Sequence, residues 1–394
     1  MKISKDIQPA MDCGSPEKAE RLTVFFPKEG DVMGGSHVSL LGLLDGLDQT
    51  EIRIIIGPEV PDGRLATHYS AFEQIPDPVP PERPFVAGQP FNLRHAMATL
   101  KGLRRRTAFI KENNIDIVHT NDGRTHATWA IAAKLAGKKL VWHHRGNPTA
   151  RGVNQLAPLV ADSLVTVSSF AIPEVWRKSS KRANVIHSPF DVSIAVNRKE
   201  MRRRILDDFG FSEETIICGY FGTYIDRKRP LTFVDTVLEL SLISQKPVKG
   251  LLFGEPTNLE EKEALASKIA QTGGAVIDAG YRTPGHIWLG GCDLLLVPAI
   301  DEPLGRTLVE AMLIGTPVFA THSGGNPEAL CGTCVVLVED LQAKSLADAA
   351  LALFNDTPRK DDMVLRAQES ARERFSRERH VSQVREIYRE LTGR

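Results

Sequence analysis

The stretch PAIDEPLGRTLVEAMLIGTPVFATHSGGNPE, residues 298–328, decides the fold of this chain. The apolar run just before it, residues 293–297, has the length of a buried parallel strand and is too short for a helix. A polar loop follows, and an amphipathic helix is predicted from about Thr307. The sequence GTP at 315–317 ends that helix, and 318–321 is the next predicted strand. The segment therefore predicts one strand–loop–helix–strand unit of a parallel α/β sheet.

Two glutamates lie within this unit, Glu302 in the loop and Glu310 in the helix, with seven residues between them. Open α/β sheets bind ligands at the carboxyl ends of their strands, which is where Glu302 lies. Free N–H groups at the start of the helix, near Gly305 to Thr307, form an anion site. A sugar nucleotide needs a carboxylate that accepts hydrogen bonds from its hydroxyl groups and, beside it, a site that binds its phosphates. The alternative is that both glutamates are solvated surface charges.

The run EPLGRTLVEAM, followed by GTPV and by GG-x-PE, resembles the E-x7-E signature of retaining GT-B glycosyltransferases of the GT4 type. The resemblance extends from about residue 21 to residue 390. It implies an α/β protein with two Rossmann-like, doubly wound domains that face a cleft. The expected domains are an acceptor-side domain at 1–187, a nucleotide-sugar domain at 188–376, and a last helix at about 377–394 that crosses back to the first domain.

The bulk composition agrees with a two-domain globular enzyme, because 394 residues are too many for one hydrophobic core. The 49 basic and 49 acidic residues cancel, so no global field favours nucleic acid. The N-terminal segment lacks the apolar core of a signal peptide, and no apolar run is long enough to span a membrane. Five scattered cysteines indicate a reducing compartment, and we expect a cytoplasmic protein. Cys331 and Cys334 have no partners for a zinc site, which favours a turn with two small buried thiols.

A glycine pair, Gly34-Gly35, follows the first predicted strand and precedes the first predicted helix. Glycine at such a junction lets backbone amides approach an anion closely. The pattern is not the GxGxxG fingerprint, and no acidic residue closes the second predicted strand, which argues against a nicotinamide or flavin enzyme. The resemblance implies that Gly35 lies near the donor phosphate. An ordinary tight turn is an equal alternative.

Another predicted strand, 139–142, ends in HHRGN at 143–147. The resemblance matches His144 to the histidine that contacts the donor sugar from the first domain. Arg145 stands where the family usually has an acidic residue. The alternative for His144 is a loop residue that caps the end of its strand.

A glycine turn with basic residues, GTYIDRKRP at 222–230, follows a predicted strand of the second domain. Such a turn at a helix N-terminus suits a diphosphate, although a solvated basic turn is the alternative. The resemblance matches Lys228 to the family's lysine, whereas Thr223 replaces its arginine. Arg227 or Arg306 would then supplement the clamp. Arg282 stands where the resemblance places the nucleotide base, and its guanidinium is available for stacking.

The resemblance implies one role for each of these residues. Glu310 would accept hydrogen bonds from the ribose, and His144 would bond the sugar across the cleft. Glu302 would orient the donor sugar and offset positive charge in the transition state. The diphosphate would be held by Lys228 and by the amides of Leu304, Gly305, Arg306 and Thr307. A nucleotide-sugar epimerase and a non-catalytic sugar-nucleotide sensor are the two rival classes.

Positive charge gathers at the predicted strand ends of the first domain, at His37, Arg124, His143 and Arg145. In a chain of zero net charge, this clustering indicates a local anion site. We therefore expect a saccharide or lipid-linked acceptor that carries phosphate or carboxylate. The alternative is that these arginines pair with Asp122 or Asp162 and hold loops.

Basic residues also crowd one face of a helix predicted over 91–113, whose buried stripe is expected at Leu93, Met97, Leu100 and Ile110. Such a face is usually solvated, and peripheral contact with anionic lipid at the inner face of the membrane is the alternative. The basic residues are Arg94, Lys101, Arg104 and Arg105.

No Asp-x-Asp triplet occurs in the chain, so we expect no metal cofactor of the GT-A kind. Basic side chains and helix ends would neutralise the diphosphate instead. Adding EDTA should therefore leave the rate of sugar transfer unchanged, as measured by release of the nucleoside diphosphate. Loss of activity with EDTA and its recovery with Mg²⁺ or Mn²⁺ would contradict this prediction.

Overall fold

The computed structural model describes residues 21–79, 93–179, 183–330 and 336–394. The predicted polar N-terminal segment and the Cys331-x-x-Cys334 turn lie outside these ranges. Residues 80–92 of the proline-rich stretch also lie outside them. The two cysteines that the structure describes, Cys218 and Cys292, are buried free thiols.

The first half of the chain forms a seven-stranded parallel sheet of order β3-β2-β1-β4-β5-β6-β7. Its strands are β1 Leu22–Lys28, β2 Ile52–Pro58, β3 Glu73–Gln74, β4 Ile117–Thr120, β5 Lys139–His144, β6 Ser163–Thr166 and β7 Ala183–Val185. The helices of this half are α1 Gly35–Leu44, α2 Arg64–His68, α3 Leu93–Glu112, α4 Gly123–Leu135, α5 Arg151–Gln155, α6 Ala157–Val160 and α7 Glu174–Arg177.

The second half forms a six-stranded parallel sheet of order β10-β9-β8-β11-β12-β13. Its strands are β8 Ile216–Phe221, β9 Val248–Phe253, β10 Val276–Asp278, β11 Leu294–Val297, β12 Val318–Thr321 and β13 Val336–Val338. The remaining helices are α8 Arg198–Phe209, α9 Pro230–Ile243, α10 Leu259–Ala270, α11 Gly285–Gly291, α12 Arg306–Ile314, α13 Asn326–Leu330, α14 Ala343–Phe354, α15 Thr357–Arg374 and α16 Arg377–Thr392.

Both sheets carry helices on their two faces, as the predicted doubly wound α/β class requires. Side chains alternate along β1, so that Phe26 packs in the core beneath α1 and Phe25 packs against Trp129 of α4 on the other face. The strand order reverses between β1 and β4 and again between β8 and β11. Ligands of open α/β sheets bind at such switch points, beyond the carboxyl ends of the strands.

The last helix, α16, packs on the first sheet although it follows the second sheet in the chain. Its residues Val384, Ile387 and Tyr388 are buried in the same core as Leu40 and Leu43 of α1. The predicted division of the chain after residue 187 stays a prediction. Among the described residues, no helix has both the length and the apolar character that crossing a membrane requires.

The predicted buried stripe of α3 was right for Ile110 and wrong for Met97 and Leu100, and the side chain of Leu93 lies outside the described residues. Met97 and Leu100 of α3 are exposed, because the buried side of this helix is formed by Arg106, Phe109 and Ile110. Arg106 is buried there since it forms an ion pair with Asp77 at 2.9 Å.

Four histidines are buried where the first sheet meets α4 and α16: His119, His126, His143 and His380. Burial disfavours the charged imidazolium and lowers the pKa of all four, that of His380 to about 3. The unfolded chain binds these protons near pH 6.5, roughly the ordinary histidine pKa, and the native state does not. The stability that these groups contribute is therefore complete above that pH and is lost as the pH falls.

We expect the free energy of unfolding to fall on acidification from about pH 7.5 to about pH 5. The loss should reach up to about 1.4 kcal/mol per pH unit for each buried histidine. Urea titrations followed by tryptophan fluorescence measure it, because Trp129 and Trp142 are buried in the same half. A His380→Gln variant should show a shallower pH dependence. Equal stability at both ends of the pH range would show that the prediction is wrong.

Candidate active site

The loops after β8 and β11 meet at the switch point of the second sheet. Residues Asp226–Lys228 form a short 3₁₀ turn after β8, and residues 298–305 connect β11 to α12. The amide of Ile300 donates to the carbonyl of Arg227 at 2.9 Å, so the backbone joins the two loops. Three predicted site residues, Arg227, Lys228 and Glu302, are thereby brought together.

The carboxylate of Glu302 lies between two cations. Its Oε2 accepts a hydrogen bond from Arg227 Nη1 at 2.5 Å and lies 3.9 Å from Lys228 Nζ. Glu302 is only 9% exposed, and a carboxylate buried to this degree requires compensating charge. Two cations beside one carboxylate leave a local positive charge, which suits a diphosphate.

Glycines allow the backbone to pack this closely around Glu302 and Lys228. Gly324 has φ +62°, and a Cβ there would lie 2.6 Å from the Glu302 nitrogen. The amide of Gly325 donates to the Glu302 carbonyl at 2.7 Å. Gly222 has φ +149°, and a Cβ there would lie 2.9 Å from Lys228 Nζ. The GG-x-PE motif therefore shapes the loop that carries Glu302.

Helix α12 begins directly after this loop. Its N-cap is Gly305, which has no side chain to accept hydrogen bonds from the first turn. Leu304 before it is buried, and Thr307 in the first turn is half-buried. The N–H groups of a first turn carry partial positive charge and bind anions. The geometry is compatible with the predicted phosphate cradle, which stays a prediction.

Glu310 lies on the same face of α12 as Arg306, one turn further along. Its Oε1 is 3.7 Å from Arg306 Nη2, and its side chain is 24% exposed. Burial raises the pKa of Glu310, and the charge of Arg306 opposes that rise. The half-exposed carboxylate retains an acceptor surface for hydroxyl groups.

The side chain of Arg306 does not supplement the predicted diphosphate clamp. Its guanidinium lies 4.1 Å from the ring centre of Phe190, and its Nη1 donates to Ser39 Oγ at 2.7 Å. Its Cδ lies against Gly35, where a Cβ would be only 2.9 Å away. Arg306 extends to the first half because the Phe190 ring and the bare backbone of Gly35 make room for it. Gly35 accordingly packs against a side chain of the second half.

Two further donor-side candidates, Thr223 and Arg282, have partners other than Glu302. Thr223 is exposed, and its carbonyl accepts a hydrogen bond from the Tyr220 hydroxyl at 3.1 Å. The Arg282 guanidinium lies 5.5 Å from the ring centre of Trp288. Arg282 therefore stacks on a protein ring, and its contact with a nucleotide base stays a prediction.

His144 ends β5 and is buried to 6% exposure. Its Nε2 lies 3.0 Å from the carbonyl oxygen of Asn147, which accepts the proton of that nitrogen. Burial lowers the pKa of His144, so the ring is neutral at pH 7. The Nε2 of His144 is thus hydrogen-bonded within the loop that follows β5. The contact of His144 with a donor sugar stays a prediction.

His143 does not fit the prediction of an acceptor contact. Its side chain is fully buried, and its Nδ1 lies 3.2 Å from Nε2 of His119. Its ring also stacks on that of His380 from α16. The reason is the alternation of a strand: the side chain of His143 faces the core that α16 covers.

Arg145 holds a loop, though through different partners from those expected. Its Nε donates to Asn121 Oδ1 at 2.9 Å and its Nη1 donates to Ser188 Oγ at 3.0 Å. Asp122 instead caps α4, and Asp162 accepts a hydrogen bond from the amide of Leu140. The alternative that Arg145 pairs with Asp122 or Asp162 is therefore wrong as to its partners, although Arg145 does hold a loop.

The other two acceptor-side candidates lie near the loop after β1. The Arg124 guanidinium lies against Gly30, where a Cβ would be 2.4 Å from its Nη1. Nδ1 of His37 accepts a hydrogen bond from the amide of Gly34 at 3.1 Å, and His37 is buried. Their contact with an acceptor stays a prediction.

Sequence reasoning missed Lys28, the last residue of β1. This lysine is 1% exposed, at the switch point between β1 and β4. The available signal was a lysine that closes the otherwise apolar strand LTVFFPK. In the part of the chain that the structure describes, no group of three or more acidic, histidine or cysteine residues is arranged to hold a metal ion.

Comparisons with known proteins agree with this geometry. Residues 215–356 match the family model described as Glycosyl transferases group 1. N-acetyl-alpha-D-glucosaminyl L-malate synthase of Bacillus anthracis is 26% identical over 292 residues, 71% of this chain and 75% of that protein. The lipopolysaccharide core biosynthesis mannosyltransferase LpsB of Rhizobium meliloti is 31% identical over 151 residues, 36% of this chain and 42% of that protein.

Solved structures share the two-sheet architecture. HepE of Anabaena, in complex with UDP-glucose, superposes with a TM-score of 0.77 at 21% identity over 94% of this chain and 100% of that chain. A glycosyltransferase of Rickettsia africae gives a TM-score of 0.78 at 18% identity over 94% and 98% of the two chains. The fold is therefore GT-B, as predicted, and the protein is a glycosyltransferase. By its signature and its relatives the protein is a GT4-like glycosyltransferase, and residues 215–356 carry the match to the glycosyl transferases group 1.

The glycine at 324 provides a sharp test of this site. We expect Gly324→Ala to keep the fold but to lower sugar transfer by about ten- to a hundredfold, because the added methyl group displaces the Glu302 loop. Gly273→Ala is the matched control, since Gly273 has a similar φ of +59° and no described atom within 4 Å of a Cβ. Steady-state kinetics and thermal unfolding of both variants measure the two effects. Equal activity in the two variants would contradict the assigned packing.

Proposed function

We propose that this protein transfers a sugar, with retention of configuration, from a nucleoside-diphosphate sugar to an anionic hydroxyl acceptor. The acceptor would be a glycan, a glycolipid or another hydroxyl compound. The observation that carries the proposal is the grouping of Arg227, Lys228 and Glu302 directly before the start of α12.

Lys228 and the first-turn amides of α12 bind the diphosphate. They stabilise the charge that develops on it as the bond to the sugar breaks. Glu310 accepts hydrogen bonds from the ribose, since its carboxylate is half-exposed on the same helix. No metal ion is needed, because cations and helix amides together neutralise the leaving group.

Glu302 acts on the donor sugar. Its carboxylate orients the sugar through hydroxyl groups and offsets positive charge on the oxocarbenium-like transition state. A diphosphate would share Arg227 and Lys228, the cations that now compensate Glu302. Donor binding therefore weakens the ion pairs of Glu302 when its negative charge is required by the transition state.

Retention is proposed to follow attack on the same face from which the diphosphate leaves. The bond from the anomeric carbon to the phosphate oxygen breaks, and a bond from that carbon to the acceptor oxygen forms. The acceptor's hydroxyl proton passes to the departing diphosphate, so no protein base is required. A double displacement would instead need a nucleophile beneath the anomeric carbon.

His144 belongs to the first sheet and would contact the donor sugar from across the cleft. Hydrogen bonds from Ser168 Oγ to the Pro303 carbonyl and from Arg306 to Ser39 already join the two halves. We expect closure of the cleft to bring His144 and the donor together and thereby to gate turnover.

The relatives support this choice of donor and acceptor. HepE is complexed with UDP-glucose, which favours a UDP-sugar as the first donor to be tested. The names of two relatives contain L-malate and D-inositol 3-phosphate, which are both anions. The name of a third relative contains the lipopolysaccharide core. We infer a role in building polysaccharide, lipopolysaccharide or a related glycoconjugate at a cytoplasmic site. Peripheral contact of α3 with the inner membrane face stays a prediction.

Glu302→Gln should retain nucleotide binding but lower kcat by about a hundredfold or more, because it removes charge where the transition state is cationic. Glu310→Ala should instead weaken binding of the nucleoside diphosphate by roughly 1.5–3 kcal/mol, the contribution of a charged hydrogen bond. Calorimetry with UDP, GDP and ADP, together with steady-state kinetics on the sugar nucleotide that binds, measures both.

Three results would overturn the proposal. The first is a kcat of Glu302→Gln within a few-fold of wild type. The second is unchanged nucleotide affinity in Glu310→Ala. The third is conversion of the donor alone into an isomeric sugar nucleotide, which would identify an epimerase.

A further inference from the structure

Lys28 is a buried cation without a partner. It is 1% exposed, and among the described residues its Nζ has no hydrogen-bond acceptor. Burial lowers the pKa of Lys28 to about 8; the charge of Asp122 opposes this effect and the charge of Arg145 adds to it. At pH 7 the ammonium is therefore mostly charged, and a buried charge without a partner is costly.

Arg145 is a second cation within electrostatic reach of Lys28. Two of its nitrogens are engaged with Asn121 and Ser188, which fixes the guanidinium plane. Its remaining nitrogen, Nη2, is buried and has no acceptor among the described residues. Burial and the neighbouring charge of Arg306 lower the pKa of Arg145 to about 9. The two cations thus present unused donors in the same region of the first sheet.

Neutral polar and aromatic groups lie beside these two cations. Lys28 Nζ lies 5.7 Å from the ring centre of Tyr69, and the Tyr69 hydroxyl donates to the His37 carbonyl at 3.0 Å. His37 follows the Gly34-Gly35 turn in the first turn of α1, and its Nε2 is also buried and without a described partner. These groups offer a ring nitrogen and a helix N-terminus, and no carboxylate.

Among the described residues, the acidic groups compensate this positive charge only in part. Asp122 is the acid that acts on Lys28, but its side chain accepts hydrogen bonds from the amides of Arg124 and Thr125 at the start of α4. Glu310 lies beside Arg306. The cluster of Lys28, His37 and Arg145 therefore keeps excess positive charge and three unused polar nitrogens.

We propose that Lys28, Arg145 and His37 form the subsite that binds the oxyanion of the acceptor, a carboxylate or a phosphate monoester. The inference rests on the proposed function, in which the first half holds the acceptor and the second half holds the donor. An oxyanion would accept hydrogen bonds from Lys28 Nζ and Arg145 Nη2 together and would compensate their charge. Lys28 determines specificity, because no structural contact in the described chain requires its charge.

The test compares Lys28→Met with wild type, since methionine keeps much of the chain length and removes the charge. Thermal unfolding is followed at increasing concentrations of inorganic phosphate and, separately, of malonate, because an anion that binds the native state raises Tm. We expect Lys28→Met to need at least about tenfold more anion for the same rise. The probe with the stronger wild-type response shows whether the site prefers phosphate or carboxylate.

Stability without ligand separates a binding role from a structural one. If Lys28 serves binding, Lys28→Met melts at the same or a higher temperature than wild type, because an unpaired buried charge has been removed. A structural lysine would give a lower Tm, and that result would overturn the inference. Lys134→Met, at an exposed position on α4, is the matched control and should respond to anions like wild type.

The failure of this inference is distinguishable from failure of the proposed function. Should phosphate still stabilise Lys28→Met and no longer stabilise Lys228→Met, the ion occupies the diphosphate site, and only the inference is lost. The inference is equally lost if neither anion stabilises the wild-type protein. Binding of UDP, GDP or ADP, measured on the same variants, tests the donor site independently.

Discussion

The salt bridge between Glu302 and Arg227 is the contact on which the rest of the site depends. It joins the loops after β8 and β11, the strands between which the order of the second sheet reverses. A carboxylate that is 9% exposed is tolerated because Arg227 and Lys228 compensate its charge. The loop can approach these cations only because Gly324 and Gly325 let a third strand end pack against its backbone. Charge and glycine geometry therefore specify the same arrangement.

The segment that carries Glu302 also carries the contacts between the two halves of the chain. Ser168 Oγ donates to the Pro303 carbonyl, and the Glu328 carboxylate accepts hydrogen bonds from Ser169 and His187. Arg306 reaches Ser39 of α1 from the start of α12. Pro303 precedes the predicted donor residue Leu304, and Arg306 is itself a predicted donor-side residue, so a donor that shifts this loop would also change how the halves meet. The proposed donor binding and the proposed closure of the cleft would therefore both act on this one stretch of sequence.

The positions of the elements could be predicted well where a buried strand is bounded by turns. The bounds of β12 agree with the run at 318–321, and those of β11 and β5 lie within one or two residues of the runs at 293–297 and 139–142. Side-chain directions could not be predicted, because they depend on distant neighbours. Arg306 extends to Phe190, which lies over a hundred residues away in sequence, and His143 stacks on His380 of the last helix. Arg106, a basic residue of α3, is buried because it pairs with Asp77, which is distant in sequence. Lys28 was missed since a single lysine at a strand end has no periodic signature.

The ligand-facing edges of the two sheets differ in how far their positive charge is compensated by acidic side chains. This difference follows from the ligand that each edge is proposed to bind. In the second sheet, Glu302 partly neutralises Arg227 and Lys228 before any ligand arrives. A diphosphate entering there must compete with a carboxylate, and in doing so it releases that carboxylate toward the sugar. In the first sheet, Lys28 and Arg145 keep unused donors, and Asp122, the acid that acts on Lys28, also caps α4. An anion entering there displaces no partner, so its full electrostatic gain contributes to binding. The charges of Arg227 and Lys228, which are proposed to exchange partners during catalysis, are thus compensated before the donor binds. The charges of Lys28 and Arg145, which are proposed only to bind the acceptor, are compensated only in part.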